Sequence, residues 1–503
     1  MYKNSIYSQI ISSKNGFSIP VLKSGKTIDS KYAPDKEAIR IADSILPDTK
    51  FLIVLGLGSA LAVQEILNRK PDLFIIIVEN SHDDFEFLSQ IDSVQKLKVN
   101  KNVFFSTADS IYNDILQNYI PCFYGNLQLI SLPNWQNEIS EKITFLNQNI
   151  QKAINAVSAD YSVQCHFGKL WTHNILNNCK NLITSKNCSF SIDKTAVVFA
   201  AGPSLDSNIQ NILQNRNSYY LISTDTAFST LLNYNIIPEA VISIDGQNIS
   251  KSHFIHSSTF DLQNTHFFFD LCANSSAVKY LIEKNCNVHF FQSGHPLSEY
   301  ISKQNTIPQL FSGAGTVTIA AVDLAIKAGF SKIQVFGADF SYINGKPYAK
   351  GTYLDKLYNS SNDRINSIEN QYDTLQYRTE LLKLNDKQFT TTILNSYKDS
   401  FEKYLSDCKI EFCKINNIYY LENKNKLKKI EFTNSQNISL KSIFDSFSEK
   451  NPENREIKSI FDLINEDISL LPLISWLRNH DNKDSNDFNY FLKKAYSIIL
   501  NYK

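Results

Sequence analysis

The stretch that most constrains the fold is Ala196–Asp206, where a run of small and branched apolar residues meets a Gly-Pro-Ser turn. Polar residues that can open a helix follow at once. A strand, a tight turn and a helix start in this order direct backbone N–H groups and the positive end of a helix dipole into one crevice, where an anion such as phosphate is favoured. The stretch predicts a nucleotide or sugar-nucleotide site at Gly202, Pro203 and Ser204.

A second segment further along the chain has the same kind of pattern. Gly315 and Thr316 stand at the start of an apolar helix predicted to end at Ala328, and the short apolar strand Lys332–Phe336 leads to Asp339. Ligands of open α/β sheets bind beyond the carboxyl ends of the strands. We therefore expect Asp339 to lie at the ligand edge.

Charge balance and cysteine usage restrict the class of protein. The 503 residues contain 50 Lys+Arg and 50 Asp+Glu, so the whole chain lacks the basic field typical of proteins that bind nucleic acid or anionic membranes. Eight cysteines include no Cys-x-x-Cys pair, and no apolar run approaches a leader or a spanning helix. These features predict a soluble, reduced, cytoplasmic protein, and its length predicts two or three domains.

The amino-terminal part reads as Rossmann-like. The continuous apolar run Phe51–Leu55 is followed by a Gly-x-Gly turn, an apolar-periodic helix and a second apolar run that ends at Glu79. Strands of this kind belong to a parallel sheet covered on both faces. An acidic residue about 20 positions after the glycines can bind a ribose hydroxyl, but the third glycine is missing, so a purely structural use of the turn stays open beside a cofactor site.

The whole chain is predicted to be multidomain α/β, with a Rossmann-like domain at 1–160, a central catalytic domain at 161–360 and a helical domain at 361–503. A connecting helix is expected from about 137 to 181. The central strands, which helical stretches separate as in a largely parallel sheet, are Ala196–Ala200, Tyr219–Ser223, Ala240–Ile244, His266–Leu271, Asn287–Phe291 and Lys332–Phe336. The amphipathic helices expected beyond them are Asn370–Leu384, Thr391–Asp407, Leu440–Ser448 and Phe488–Leu500.

Polar residues follow four of the predicted central strands. They are Gly202-Pro203-Ser204 after the first, Asp225-Thr226 after the second, Asp245-Gly246-Gln247 after the third, and Asp339 with Tyr342 after the last. Each group alone is typical of a simple turn or a helix cap. Their recurrence at successive carboxyl ends favours one shared site. In this site, Asp225, Thr226, Asp245 and Gln247 would join the two helix starts in binding the nucleotide or sugar nucleotide.

The middle of the chain resembles the Maf (motility accessory factor) family of flagellin glycosyltransferases. The segments that carry the resemblance are Ala200–Asp206, Ile222–Ala227, Ile244-Asp245, Gly315–Ala325 and Phe336–Asp339, with Phe167–Trp171 matching the family's lead-in helix. The same core is similar to bacterial sialyltransferases and to archaeal 6-hydroxymethylpterin diphosphokinases. The amino-terminal domain matches more loosely.

This resemblance implies transfer of a nonulosonic acid, such as pseudaminic or legionaminic acid, from a CMP-activated donor to Ser or Thr hydroxyls of flagellin. The donor carries a carboxylate and its leaving group is a phosphate, so the site must hold two anions. Helix starts at Ser204 and at Gly315-Thr316 can do so without a large positive charge. The CMP-sugar and flagellin would be the partners, with the flanking domains holding the protein acceptor.

The resemblance also implies where the leaving group is stabilised. Sialyltransferases of this kind are understood to use tyrosine hydroxyls on the phosphate and a histidine base, in the mobile segment after the position of Asp339. Here that segment is rich in tyrosine and lacks histidine. Tyr342, Tyr348 or Lys350 would then assist the phosphate, although packing of the tyrosines in a loop is an alternative.

The general base and the metal remain open at the level of sequence. Asp339 or Asp245 could accept the hydroxyl proton, and His295 is a further candidate because histidine titrates near operating pH. Helix capping and a loop position are the alternatives for these residues. No Asp-x-Asp metal motif is present, but Asp225 and Asp245 could hold Mg²⁺ if their carboxylates converge.

Two other functions are compatible with the same residues. A pterin diphosphokinase would transfer pyrophosphate from ATP and would need a metal held by carboxylates, although its small substrate does not explain the large flanking domains. A non-catalytic flagellin-binding motility factor could retain the nucleotide-binding shape, and the missing histidine keeps this alternative open.

Overall fold

The computed structural model describes residues 5–181, 188–255, 259–304, 307–313, 316–365, 367–425, 429–432, 440–450, 455–481 and 487–502. The chain forms two compact units. Unit 1 combines Met1–Gly168 with Lys450–Ile498, and unit 2 combines Lys169–Glu449 with Ile499–Lys503. The predicted boundaries at 160 and 360 therefore do not describe the division, because the last helices belong with the amino-terminal residues.

Unit 1 is built on a parallel sheet. Its strands are β1 (Tyr7–Ser12), β2 (Ser18–Leu22), β3 (Phe51–Leu55), β4 (Phe74–Glu79), β5 (Val103–Thr107) and β6 (Leu127–Ser131). Its first helices are α1 (Pro34–Asp43), α2 (Leu61–Arg69), α3 (His82–Leu88), α4 (Asp92–Leu97), α5 (Ile111–Asn118), α6 (Pro121–Tyr124) and α7 (Pro133–Glu138). The sheet order is β5-β4-β3-β6, with all pairs parallel, and β1 and β2 form a separate antiparallel pair. Every residue of β3 and β4 is buried, which explains their continuous apolar sequences.

A 41-residue helix, α8 (Ser140–Lys180), follows this sheet and agrees with the predicted connecting helix. The division between the two units falls within it. Its last turns present amide side chains to the central sheet of unit 2. Asn174 Nδ2 donates to the carbonyl oxygens of Gly246 and Cys272, both at 3.0 Å. This helix therefore fixes two loops that follow central strands.

Unit 2 contains the larger parallel sheet. Its first strands are β7 (Thr195–Phe199), β8 (Tyr219–Thr224), β9 (Ala240–Ser243), β10 (His266–Asp270), β11 (Asn287–Phe291) and β12 (Lys332–Phe336). The helices along them are α9 (Leu205–Gln214), α10 (Asp225–Asn233), α11 (Ser275–Glu283), α12 (Pro296–Gln304) and α13 (Val317–Ala328). These strands run parallel in the order β11-β10-β9-β8-β7-β12. The sequence therefore predicted all six strands and their largely parallel arrangement.

The two faces of this sheet are covered by different helices. Val198 packs with Ile319 of α13 in one apolar cluster, and Val197 packs with Leu205 and Ile209 of α9 in the other. Alternate residues of a strand point to opposite faces. The apolar run of β7 is therefore explained by burial on both sides, and it holds the starts of α9 and α13 near one sheet edge.

The segment after β12 adds strands that the helical pattern concealed. It contains β13 (Tyr342–Ile343), α14 (Tyr353–Ser360), α15 (Ile368–Gln376), β14 (Leu382–Asn385), β15 (Gln388–Thr390), α16 (Thr392–Asp407), β16 (Glu411–Ile415) and β17 (Ile418–Glu422). The predicted helix Asn370–Leu384 is wrong in its second half, because β14 turns back onto β15 through Asn385, whose side chain accepts the Lys387 N–H at 2.9 Å. Strands β17 and β16 extend the central sheet antiparallel beside β12.

The remaining helices are α17 (Leu440–Glu449), α18 (Ile460–Glu466), α19 (Leu471–His480) and α20 (Phe488–Leu500). The carboxyl-terminal region is thus mainly helical, as predicted, but α18 and α19 belong to unit 1, where Ile460 joins the apolar core. Amphipathic periodicity shows that a helix buries one face and not which sheet receives it. None of the helices in the described ranges combines the length and apolar character needed to cross a membrane.

Candidate functional site

A cavity of about 380 Å³ lies beyond the carboxyl ends of β7, β8 and β12 in unit 2. The predicted site residues that line it are Gly202, Thr226, Thr316, Asp339, Tyr342 and Tyr348. Lining residues that the sequence analysis missed include Thr224, Thr318, Ser341, Arg378, Thr379 and Tyr397. The strand ends therefore bring six predicted residues to one place, and the segment from β13 to α16 supplies further polar groups.

Two glycines draw the turn after β7 against the turn after β12. Gly202 N donates to Gly337 O at 2.8 Å. A Cβ at Gly202 would lie 2.3 Å from Gly337 O and 2.4 Å from Asp339 Oδ2. At Gly337, where φ is +68°, a Cβ would lie 2.2 Å from Ala200 O. Side chains at either glycine would push these turns apart, so the close approach requires glycine.

Asp339 is buried at this junction and lines the cavity. Its Oδ2 accepts a hydrogen bond from Ser204 N at 2.8 Å, whereas its buried Oδ1 has no hydrogen-bond partner among the described residues. Burial raises the pKa of Asp339, and the hydrogen bond from Ser204 and the charge of Lys414 oppose that rise. One carboxylate oxygen is thus fixed by the turn, and the other is available to accept a proton.

The turn amides are used differently from the prediction. Gly202 N is bound to Gly337 O, Ser204 N to Asp339 Oδ2, and Leu205 N to Gly202 O at 3.0 Å. Pro203 has no N–H to offer. The sequence suggested a loop whose amides hold an anion, but a carboxylate of the same chain occupies that position. The turn fixes Asp339 instead.

The start of α13 faces the cavity. Thr316, Val317 and Thr318 all line it, and Thr226 lies across from them at the start of α10. The first amides of a helix lack intrahelical partners and carry the positive end of its dipole. This edge of the cavity therefore suits an anion. Gly315, which the sequence placed in the same helix start, lies outside the described residues.

Asp225 and Asp245 do not line the cavity. The carboxylate oxygens of both residues accept hydrogen bonds from neighbouring groups of the fold. Asp225 accepts from Thr226 N and from Ser243 Oγ, both at 2.7 Å. Asp245 accepts from Gln247 N at 2.9 Å and from Ser250 Oγ at 2.7 Å. These contacts correspond to the capping alternative. In the described ranges, neither carboxylate belongs to a cluster of three metal-ligating side chains.

Tyrosine hydroxyls concentrate around the cavity. Tyr342, Tyr348 and Tyr397 line it. Burial raises the pKa of Tyr342 and Tyr348, that of Tyr348 to about 12, with nearby tyrosines and Asp225 adding to the second shift. The hydroxyls of Tyr342 and Tyr348 therefore remain protonated near neutral pH and can donate hydrogen bonds to an anion.

Arg378 supplies a positive charge that the sequence analysis did not find. It lines the cavity, is exposed, and makes no ion pair or hydrogen bond among the described residues. Its charge opposes the rise in pKa of Tyr342. Arginine binds carboxylate or phosphate in a bidentate manner. The only sequence signal was a Tyr-Arg-Thr turn after α15, which has no motif around it.

Four other predicted residues do not line the cavity. Ser204 is buried and its Oγ has no partner among the described atoms, but neither Ser204 nor Pro203 lines the cavity. Lys350 has an exposed side chain and donates its backbone N–H to Asp206 at 3.1 Å. Gln247 is exposed beside Asp245. These four residues are therefore displaced from the roles that the sequence suggested.

His295 does not fit the role of a base at this cavity. It is absent from the lining, and its Nδ1 accepts the Leu297 N–H at 3.1 Å. Burial lowers the pKa of His295 to about 3, and its ring lies edge-on to Trp171 with centroids 5.6 Å apart. His295 is therefore a packed loop residue, which was the alternative to its role as a base.

The amino-terminal turn is filled by its own side chains. Glu79 is fully buried and accepts hydrogen bonds from Leu57 N at 2.7 Å, Trp135 Nε1 at 2.6 Å and Tyr7 Oη at 2.9 Å. A Cβ at Gly56 would lie 2.6 Å from Trp135 Cγ. The carboxylate of Glu79 is thus used inside the fold, which favours the structural use of this turn over a cofactor site.

The central region of the chain matches the model of a known protein family. Residues 170–345 match the model of the 6-hydroxymethylpterin diphosphokinase MptE-like family. The chain is also similar over 99% of its length to the structure of a Maf glycosyltransferase from Magnetospirillum magneticum AMB-1, with a TM-score of 0.57, 13% identity and 87% of that chain covered. The predicted resemblance is confirmed as a Maf fold with an MptE-like core.

Sequence relatives come from Treponema pallidum (strain Nichols), each described as an uncharacterized protein. One is 38% identical over 138 residues, which are 27% of this chain and 49% of that protein. Another is 33% identical over 152 residues, which are 30% of this chain and 72% of that protein. The match thus spans about half the length of the first relative. This chain belongs to the family of the second treponemal protein.

Proposed function

We propose that this chain is a glycosyltransferase that moves a nonulosonic acid, of the pseudaminic or legionaminic type, from a CMP-activated donor to Ser or Thr of flagellin. The observation that carries the proposal is the cavity itself. Its lining combines tyrosine hydroxyls, a helix start, Arg378 and Asp339, whose buried Oδ1 has no partner in the described part of the chain, at the carboxyl edge of a parallel sheet. The Maf fold of the whole chain supports the same activity.

Two anions of the donor have suitable partners in this cavity. Arg378 can pair with the sugar carboxylate, because the guanidinium makes two parallel hydrogen bonds to a carboxylate. The amides of Thr316–Thr318 and the hydroxyl of Thr226 can hold the phosphate at the start of α13. Neutral binding groups of this kind agree with a chain that has equal numbers of acidic and basic residues.

The chemistry follows from the free oxygen of Asp339. The acceptor hydroxyl oxygen forms a bond to the anomeric carbon while the bond from that carbon to the CMP phosphate oxygen breaks, and its electron pair leaves with the phosphate. Asp339 Oδ1 takes the proton of the attacking hydroxyl. Tyr342 and Tyr348 donate hydrogen bonds to the phosphate oxygen as its negative charge grows. We place Lys350 outside these steps, since its side chain is exposed away from the lining.

Intact-mass analysis of flagellin tests the proposal. Flagellin from cells that lack this protein should lose the mass of one nonulosonic acid per modified site, and expression of the wild-type chain should restore it. Expression of the Asp339→Asn variant at equal level should not. Unchanged flagellin mass in the deletion strain would remove the proposal, and restoration by the variant would point to a binding factor without chemistry.

Pyrophosphate transfer to a pterin is the second candidate, because residues 170–345 match the MptE-like model. Such a kinase needs a metal between ATP phosphates and carboxylates. The carboxylates of Asp225 and Asp245 are bound to neighbouring groups of the fold, which argues against it. Release of AMP from ATP that depends on 6-hydroxymethylpterin would establish this alternative, and release of CMP from the sugar donor would establish the first.

A further inference from the structure

Three metal-ligating side chains converge in unit 2, apart from the cavity. Cys188 Sγ and ring nitrogens of His266 and His289 all lie within 4.8 Å of one another. The closest pair is His266 Nδ1 and His289 Nε2 at 2.8 Å. His289 is buried, and the other two residues are half-buried, so an ion could reach the group from one side.

The fold holds these residues on three separate stretches of chain. His266 begins β10 and His289 lies in β11, which pairs with β10 in parallel register. Cys188 precedes β7 and donates its backbone N–H to Phe432 O at 3.4 Å. The parallel sheet carries the cavity at its carboxyl edge, whereas His266 stands at the amino-terminal end of its strand. The cluster is therefore a separate feature of the domain.

Aromatic side chains pack against the His289 ring. The His289 ring stacks on Phe268 with centroids 5.0 Å apart and contacts Phe432 at 5.7 Å. An ion that binds the Cys188 sulfur must displace the thiol proton, because the thiolate is the form that binds metals.

We propose that Cys188, His266 and His289 bind one Zn²⁺ ion. One thiolate and two imidazoles are a donor set that zinc prefers, and three protein ligands leave the fourth tetrahedral position for water. Two nitrogens at zinc-ligand distances of about 2.0–2.1 Å in tetrahedral geometry stand about 3.4 Å apart. The histidine pair would open by a fraction of an ångström as the ion replaces their hydrogen bond. The ion would tie the entry to β7 to strands β10 and β11.

Metal titration of the full-length protein tests this site. The protein is stripped with a chelator, dialysed, and titrated with Zn²⁺ in competition with a chromophoric chelator, followed by Co²⁺ to record a thiolate-to-cobalt absorption band. We expect one Zn²⁺ per chain and a band that Zn²⁺ abolishes. Loss of an outer-sphere partner of a metal ligand typically weakens binding 10–100-fold. Cys188→Ser and His289→Asn, which remove direct ligands, should therefore each weaken Zn²⁺ binding at least about 100-fold.

Matched controls separate the site from adventitious binding. Cys413 is an exposed free cysteine and His166 is an exposed histidine, so Cys413→Ser and His166→Asn should leave the affinity and the cobalt band unchanged. Circular dichroism checks that Cys188→Ser is folded, and His266→Asn provides an independent ligand variant. Zinc binding that survives in Cys188→Ser and His289→Asn would overturn the proposal. Absence of stoichiometric binding to the stripped wild-type protein would do the same.

Discussion

The two parallel sheets of this chain use the same strand-turn-helix sequence in opposite ways. In unit 1, the acidic residue at a strand end, Glu79, receives three hydrogen bonds, and Trp135 packs on Gly56 of the turn. In unit 2, Asp339 lines a cavity of about 380 Å³ and receives one hydrogen bond on Oδ2, whereas its buried Oδ1 has no partner among the described residues. A strand end predicts a ligand site only where the chain itself does not fill the space.

The largest expected effect concerns the proposed role of Asp339 as the general base. Asp339→Asn keeps an oxygen for Ser204 N but cannot accept the acceptor proton, and positioned general bases typically contribute about 10²–10⁴-fold. We expect turnover of the CMP-sugar to fall by that factor, with donor affinity changed only a few-fold. Single-turnover kinetics and calorimetric titration of the donor separate the two quantities.

Asp399→Asn is the matched control for this variant, because Asp399 is an exposed carboxylate of α16, which also contributes lining residues. It should retain wild-type turnover. If Asp339→Asn keeps more than about a tenth of the activity, the distinction between an occupied and an available carboxylate would lose its functional meaning.

Trp135 tests the turn of unit 1, which the chain fills with its own side chains. Trp135→Ala removes a fully buried ring and leaves a void, which typically costs about 3–5 kcal/mol. Denaturant unfolding followed by hydrogen exchange of β3 and β4 measures the loss. The exposed Phe145→Ala should stay within about 0.5 kcal/mol of wild type. Tight CMP binding gained by Trp135→Ala would mean that the ring had masked a nucleotide site, contrary to a purely structural turn.

Arg378 tests the cavity of unit 2, where we expect a smaller effect on ligand binding. A hydrogen bond to a charged group contributes about 1.5–3 kcal/mol, so Arg378→Ala should weaken binding of the CMP-sugar about 10–100-fold. Binding of CMP alone should change less if the guanidinium pairs with the sugar carboxylate. The exposed Arg364→Ala on the same segment is the control, and equal affinity of Arg378→Ala and wild type would remove Arg378 from the donor site.

The sequence predicted what local chemistry determines. Strands Asn287–Phe291 and Lys332–Phe336 match their predicted bounds, because short segments rich in branched and aromatic residues between turn residues favour strands. Asp339 followed from its place after such a strand. Both inferences depend on neighbours along the chain, which the sequence displays directly.

Features that depend on distant packing could not be predicted in this way. Arg378 is one exposed cation in a polar segment, and only the fold carries it to the cavity. The amide of Ser204 was expected to bind an anion, but the turn geometry alone did not reveal that Asp339 would occupy it. The position of α18 in unit 1 could not be predicted for the same reason. Amphipathic periodicity shows which face of a helix is buried but not what that face packs against.

The pH dependence of stability gives the smallest test, and it concerns Glu79. Burial, with the charge of Asp84 adding to it, raises the pKa of Glu79 from 4.5 to about 8 in spite of its three hydrogen bonds. As pH rises above 4.5, the unfolded chain releases this proton while the folded chain keeps it, so the free energy of unfolding falls by at most about 1.4 kcal/mol per pH unit until pH about 8.

Glu79→Gln should flatten this decline, because the amide has no proton to release. Burial also raises the pKa of Asp29 to about 6, which adds a decline of the same sign at lower pH. Burial lowers the pKa of His289 and His295 to about 3, which adds a slope of opposite sign near pH 6.5. The difference in slope between wild type and Glu79→Gln from pH 6 to 8 therefore reports Glu79 in denaturant unfolding of the full chain. The exposed Glu86→Gln in α3 should keep the wild-type slope. A slope that persists in Glu79→Gln would mean that its three donors hold Glu79 ionised, leaving the closed turn of unit 1 as a charged rather than a neutral network.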